Sequence, residues 1–512
     1  MSDLPRGQAW QTDPEAAFVQ ARRLIRACAE QKGAVLYLGS LELDRLPSEI
    51  SALTWLRELR MFGGSICDFT ALTPLINLEL LEIGSLKCPF PGLDFMRDWD
   101  RLQDLDIITP SAVDVKPAAA CLGLKRLTIW CTPRRVDLLN LETLSGLRAI
   151  EHVSFYGMAS ERFDTLTQWP RLKFVQLTNP TLETLAGFER LTQLESLSIS
   201  GASISNLSPL AGLASLKQLI VHDTEVSDLS PLVRLHQLEE LNISGTPICE
   251  LEPLERLGAC QREFNQRQRS EQAYWWGDKG LRDIRISRSK VVNLAPLANI
   301  ETLEHIDLSD TVVASLSSLH HKDNLRHVTL ARSAVTDLGP RGSLAGLHSI
   351  DLAETSVENL LALEPAEALG SLNISHTQIS DLAPLRLAYE CRSLNLRGSL
   401  VADLKAIIDT GSQEADHRYS QESLDFRDTP AARVNDRFAE LAALADESPA
   451  SCFFETKRYL RELMGIPAKV ETRNGSVMRQ GDPGRTPSSL GGILSRISLA
   501  ILVVSLLYLV LR

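Results

Sequence analysis

The chain repeats itself every 22 residues, and no other feature of the sequence restricts its fold as strongly. LESLSISGASISNLSPLAGLAS from Leu194, LKQLIVHDTEVSDLSPLVRLHQ from Leu216 and LEELNISGTPICELEPLERLGA from Leu238 are consecutive copies. The series resumes at Leu281, Leu303, Leu325, Leu347, Leu369 and Cys391 with the same spacing. The shared pattern is LxxLxLxx[TS]x[VI]x[DN]LxPLxxLxx. A short fixed period of this kind marks an array of small units that bury their apolar faces only against each other.

Each part of the repeat has a physical reading. LxxLxL ends in alternating apolar residues, so it predicts a short strand with one buried face. The hydroxyl at position nine (Thr224, Thr246, Thr311, Thr355, Thr377) lies where the chain leaves the strand, within reach of backbone groups of neighbouring turns. An Asp or Asn then precedes Leu (Asp228, Asn293, Asp337, Asp381). Pro follows three residues after the Asp or Asn in several copies (Pro231, Pro296, Pro384), which predicts a capped helical turn. The remaining leucines point inward and stack from coil to coil.

The earlier chain follows the same rule less regularly. Strand-like segments begin near Gly33, Leu56, Leu78, Leu102, Leu124, Ile150 and Leu172, spaced by 22 to 26 residues, and the first coil, VLYLGSLELDRLPSEISAL, carries LPxxI in place of DLxPL. Together these give roughly sixteen to eighteen coils in an α/β solenoid with short parallel strands on its concave face. The pattern resembles the internalin-like branch of bacterial leucine-rich-repeat proteins, whose repeats carry DLxPL after the strand; here Thr or Ser stands where that family usually has Asn. The opening ARRLIRACAEQKGAVLYLGSLELDRLPSEI also resembles the start of bacterial repeat proteins with LPxxI coils. The resemblance covers about residues 33–430. It implies the horseshoe fold and, less specifically, a binding role.

Composition agrees. Hydrophobic residues make up 44% and aromatics only 5%, as expected of a core built from one aliphatic side chain. The net charge of −12, with no basic block, argues against nucleic acid as a partner, because neutralising phosphates needs clustered Lys and Arg. The nine cysteines show no CxxC pair and no zinc spacing, and read as reduced, partly buried thiols of a cytosolic domain.

The boundaries follow from where the repeat stops. Residues 1–32 contain an amphipathic helix over 13–32 that caps the first coil, and 33–430 form the solenoid. Leu238 and Leu281 are 43 residues apart, and the stretch 260–280 lacks strand leucines. It reads either as a degenerate coil, with Trp275 in the inward column of Leu232 and Leu297, or as a loop presenting Trp275 and Trp276 to a partner. A polar loop near 409–421 precedes a last strand, SLDFRDTP. Residues 431–464 read as two amphipathic helices that cap the open end. Residues 465–492, rich in Gly, Pro, Ser and Arg, are a linker.

The chain ends on a strongly apolar run. Ile497–Leu511 reaches about 22 Å as a helix, against the ~30 Å hydrocarbon core of a bilayer; extending it back through Leu490 gives enough length if Arg496 snorkels to the interface. We therefore expect a single transmembrane helix over 493–511. Lys469, Arg473, Arg479, Arg485 and Arg496 lie before the run and only Arg512 after it, which keeps the repeats cytoplasmic.

No nucleotide-binding, serine-hydrolase or zinc-protease motif occurs, no residues are assigned to metal or cofactor, and no catalytic residue is identified. Binding of an unidentified protein ligand is therefore the expected role. Residues at positions three, five and seven of each strand, counting the first Leu as one, point outward. In the C-terminal half these are small or polar, as with Ser349, Asp351 and Ala353 or Ser371, Asn373 and Ser375. In the N-terminal half the count gives Ile108, Arg126, Trp130, His152, Tyr156 and Phe174 as a candidate binding patch, because aromatics and Arg concentrate binding energy. Two other readings are an effector with catalytic residues within 430–464, and an exported internalin-like adhesin.

Overall fold

The computed structural model describes residues 13–39, 41–85, 87–131, 136–160, 162–178, 180–271, 279–408, 410 and 422–466. They lie in a compact unit, Met1–Met464, apart from the first two residues of a second unit, Gly465–Arg512. The expected transmembrane helix (493–511) and all but the first two residues of the linker (465–492) fall outside the described residues, as do Trp275 and Trp276.

Among the described residues, seventeen strands form one parallel sheet, each pairing with the strand one coil on. The side chains at positions one, four, six, eleven, fourteen, seventeen and twenty fill the interior. In the coil beginning at Leu216 these are Leu216, Leu219, Val221, Val226, Leu229, Leu232 and Leu235, each at most 1% exposed. Every such side chain removed from water stabilises by about 1.5–3 kcal/mol. No coil can do this alone, because the leucines of one coil are covered by those of its neighbours.

Strand length changes along the array. The strands of this sheet run four to six residues as far as Ser196–Ser200, and three in each coil from Gln218–Ile220 to Ser423–Asp425. In most of the short ones position five is Asn or Asp, whose side chain accepts from the N–H two residues on: Asn242 from Ser244, Asp307 from Ser309, Asn373 from Ser375. Position eight then sits in the left-handed region, as Gly in Gly201, Gly245 and Gly398 but as a larger residue in Asp223, Arg288, Asp310, Arg332, Glu354 and His376. Ion pairs between coils hold several of these strained residues: Arg288–Asp223 at 3.1 Å and Arg332–Asp310 at 2.7 Å.

The position-nine hydroxyls stay within their own coil. Thr224, Thr246, Thr311, Thr355 and Thr377 each donate to the carbonyl three residues back, at 2.6–2.7 Å, rather than to a neighbouring turn. The backbone explains the difference. The left-handed residue at position eight turns the chain back over the strand end, so that the position-six carbonyl, just past the strand, is the nearest acceptor. The Asp/Asn caps are found as expected. Asp228, Asn293 and Asp381 accept from the first N–H of the following 3-10 turn at 2.8–2.9 Å.

Position two carries a ladder of alternating charge. Arg57, Glu79, Gln103, Lys125, Glu151, Lys173, Glu195, Lys217, Glu239, Arg282, Glu304 and Arg326 occupy it in turn. Arg57–Glu79 (2.8 Å), Lys173–Glu151 (3.0 Å), Lys217–Glu195 (2.6 Å) and Arg282–Glu304 are ion pairs. Each exposed pair contributes little alone, but alternation keeps like charges from facing each other across strands.

The described part of the stretch 260–280 is not a degenerate coil, and the reading of a loop that presents Trp275 and Trp276 falls on residues outside those described. Glu252–Glu271 is a 20-residue helix, α2, that begins well before the insert. The strand before it pairs directly with the strand after it, Glu240 opposite Asp283, so the segment belongs to one enlarged coil and no degenerate coil intervenes. Gln261, 3% exposed, replaces the missing backbone partners. It donates to Leu238 O at 2.9 Å and accepts from Leu281 N at 3.2 Å.

Both ends are covered by helices. At the start, α1 (Pro14–Gln31) is capped by Asp13 and buries Ala17, Ala21, Ile25 and Cys28 against the first coil. At the other end α3 (Asp436–Glu447) and α4 (Pro449–Leu463) pack on the last strand through Phe426, Phe438 and Phe453.

Candidate functional site

The outward count holds in the first half of the sheet. Ile108, Trp130 and Tyr156 face one another across three successive strands at position seven, and Arg126, His152 and Phe174 do the same at position three, two outward columns away. None points into the core: five are half-buried and Arg126 is exposed. The inward neighbours Ile107, Ile129, Phe155 and Leu177 are all at most 1% exposed, which fixes the alternation.

The aromatic side chains pair within each column. Trp130 stacks on Tyr156 with centroids 3.8 Å apart and planes 14° from parallel, and His152 lies 5.5 Å from Phe174 at 33°. Parallel strands set about 4.8 Å apart bring same-position side chains to this distance. Polar contacts then hold the rings in place. Tyr156 Oη donates to Gln176 Oε1 at 2.7 Å, and His152 Nε2 and Ser154 Oγ are 3.1 Å apart. Burial, together with the Arg126 guanidinium, pushes the His152 imidazole down to about 4, so the ring is neutral near pH 7. Burial pushes the Tyr156 phenol up to about 12.

Position five supplies residues that the aromatic and Arg criterion passed over: Asp106, Thr128, Ser154 and Gln176, the floor between the two columns. Asp106 matters most. Its Oδ1 is buried without a hydrogen-bond partner among the described residues, and burial raises its carboxyl above the ordinary carboxylate range against the opposing pull of Thr128 and Arg126. Asp104, at position three of the same strand, lies 3.8 Å from Arg126. A signal was present in the sequence, since the count that locates Ile108 also locates Asp104 and Asp106.

The C-terminal half of the face is different. Position five there is mostly Asp or Asn, and Asp307, Asp351, Asn373 and Asn395 each accept from the N–H two residues on; position seven is Ser or Ala in the coils from Leu281 to Leu369 and Arg397 in the next. Among the described residues no group of three or more His, Cys, Asp or Glu side chains could hold a metal ion. Nor is any described helix long and apolar enough to cross a membrane. Within 430–464 the one thiol, Cys452, is buried on the inner side of α4, and that burial pushes it up to about 12, away from nucleophilic use.

A stack of parallel strands with leucine columns, Asx-capped 3-10 turns and helical end caps defines a leucine-rich-repeat solenoid. In fold the chain is similar to an internalin from Listeria monocytogenes (TM-score 0.50, 17% identity, covering 69% of this chain and 94% of that one). It is also similar to a leucine-rich-repeat protein from Leptospira interrogans (TM-score 0.52, 16% identity, covering 72% and 98%). At these identities the likeness concerns the fold. No protein-family model matches the chain, and no curated protein does.

Proposed function

We propose that the chain is a non-catalytic scaffold that binds a protein partner on the N-terminal half of its exposed sheet face. The observation that carries this reading is the pair of aromatic couples, Trp130–Tyr156 and His152–Phe174, held side by side on the outer surface of rigid strands. Large aromatic surface left half-covered on a rigid support is what binding hot spots are made of. Leucine-rich-repeat solenoids of the internalin type, which the fold resembles, support a protein as the ligand class.

The apolar run at 493–511 supports a further element, attachment to a lipid bilayer through the C-terminus with the repeats on the cytoplasmic side. Carbonate extraction and protease protection test this. The full chain is expected to stay in the membrane fraction with its repeats digested only from the cytoplasmic side, and a version ending at Gly492 to be released. Release of both removes the tether from the account.

The patch is tested by photo-crosslinking in the full chain. A benzophenone amino acid placed at Phe174 is expected to capture a discrete protein, and Trp130→Ala to abolish that capture. The same group at Asn373, in the C-terminal half, is expected not to capture it. Equal capture from both positions, or capture at 174 indifferent to Trp130, contradicts the assignment.

A further inference from the structure

The patch is lopsided in charge, and the imbalance specifies its ligand. On the outward face of the strands Glu58–Met61, Leu80–Gly84, Asp104–Thr109 and Arg126–Cys131 stand four carboxylates, Glu58, Glu82, Asp104 and Asp106, against two guanidinium groups, Arg60 and Arg126. Arg60 is taken up between Glu82 (2.9 Å) and Glu58 (3.5 Å). Arg126 reaches Asp104 only loosely, at 3.8 Å, with its side chain 49% exposed. Asp106 Oδ1 has no hydrogen-bond partner among the described residues. A buried acceptor left without a partner is unfavourable, so a ligand that brings a donor to this carboxyl group relieves it.

The neighbouring aromatics add no positive charge to offset this. His152, at the centre of the patch, is neutral near pH 7 because it is buried beside Arg126. Acid and aromatic features therefore adjoin with one loosely paired cation between them. Asp106 faces Thr128 in the register, which makes Trp130 its diagonal neighbour two residues on. Diagonal neighbours of this kind are roughly 7–8 Å apart. An extended peptide advances ~3.3 Å per residue, so side chains two residues apart lie on one face at about the same separation.

The geometry points to a ligand segment that is extended and basic, with a Lys or Arg side chain bonded at Asp104 and Asp106 and, two residues away, an apolar or aromatic side chain laid against Trp130 and Tyr156. This rests on the proposed binding role of the same face and names the chemistry of what binds there. Charge-assisted hydrogen bonds to the two carboxylates fix the cation. The exposed edge and face of the Trp130–Tyr156 stack receive the apolar group.

The test uses the full-length protein in detergent and a phage-displayed library of random twelve-residue peptides, depleted beforehand on the Trp130→Ala protein. The surviving peptides are expected to carry Lys or Arg at a two-residue spacing from an aromatic or aliphatic residue. Replacing that Lys by norleucine in the synthetic peptide is expected to weaken binding by about tenfold or more, a change that leaves the protein untouched. Asp104→Asn with Asp106→Asn is expected to weaken it to the same degree, and Asp104→Arg to shift selection toward acidic peptides. Thermal unfolding of each variant confirms that it folds. Peptides that need Trp130 but carry no basic residue, or that lose nothing with norleucine, overturn this inference and leave the binding face in place. Recovery of no Trp130-dependent peptide at all overturns both.

Discussion

Trp130 lies flat against Tyr156, one coil further along the sheet, with ring centroids 3.8 Å apart. Both are half-buried and neither contributes to the leucine core beneath. Most of what Trp130 does for folding is therefore done by this one stack, worth about 0.5–1.5 kcal/mol beyond the area it covers. Trp130→Ala is expected to lower stability by roughly 1–2 kcal/mol, well below the 3–5 kcal/mol typical of an aromatic removed from a core. Urea unfolding decides it, and a loss at the core value means that the ring is structural.

The hydroxyl at position nine divides into two kinds. Thr311 donates to Leu308 O at 2.6 Å, whereas the hydroxyls of Ser333 and Ser399, at the equivalent position, are buried without a partner among the described residues. Thr311→Val is expected to cost about 1 kcal/mol, the value of one hydrogen bond. Ser333→Ala removes an unsatisfied group and is expected to be neutral or slightly stabilising. Equal losses in thermal unfolding contradict this division.

Glu354 adopts φ 56 in a column where other coils use glycine. A side chain there costs about 1–2 kcal/mol, offset in part by the greater freedom glycine has when unfolded, roughly 0.5–1 kcal/mol. Its ion pair to Arg332 is long, at 3.9 Å, and exposed. Glu354→Gly is accordingly expected to raise stability by a few tenths to about 1 kcal/mol, read as a higher melting temperature. A clear loss assigns Glu354 a contact that the ion pair does not describe.

His152 makes stability depend on pH in a defined window. Its folded-state pKa of about 4 lies below the ordinary 6.5, so between these values the unfolded chain binds the extra proton. Its contribution is constant above pH 6.5, falls as the pH drops toward 4, and levels off below. His152→Gln is expected to remove this part of the acid sensitivity, making the gap between variant and parent melting temperatures shift in favour of the variant from pH 7 to pH 4. A direct check is the titration of the His152 ring by NMR, where a midpoint near 6.5 contradicts the burial argument.

Sequence periodicity carries the fold a long way here because the side-chain alternation of a strand is fixed. Once Leu102, Leu124, Ile150 and Leu172 are placed at position one, Trp130 and Tyr156 must face outward together. What the count misses is set by backbone geometry and by single polar side chains. The left-handed residue at position eight is glycine in only some coils, so Asp310 and Arg332 give no sign of it. Helix α2 is rich in charge and carries few of the apolar repeats that mark a helix, yet Gln261 and Asn265 fasten it by side-chain bonds to the backbone of Leu238, Lys279 and Leu281. Asp106 was passed over because a carboxylate on an outward position is ordinarily solvated. Its Oδ1 is nonetheless covered and without a hydrogen-bond partner among the described residues.

The central claim is that ligand binding is concentrated on the N-terminal half of the sheet face. The most direct measurement compares, by calorimetry on the full-length protein, the affinity of the partner captured at residue 174 for the parent, for Trp130→Ala and for Ser371→Ala, the last lying at outward position three in the C-terminal half, the column of Phe174. The account predicts that Trp130→Ala weakens binding by about tenfold or more and that Ser371→Ala changes it by less than about twofold. Equal effects, or a larger effect at Ser371, contradict it.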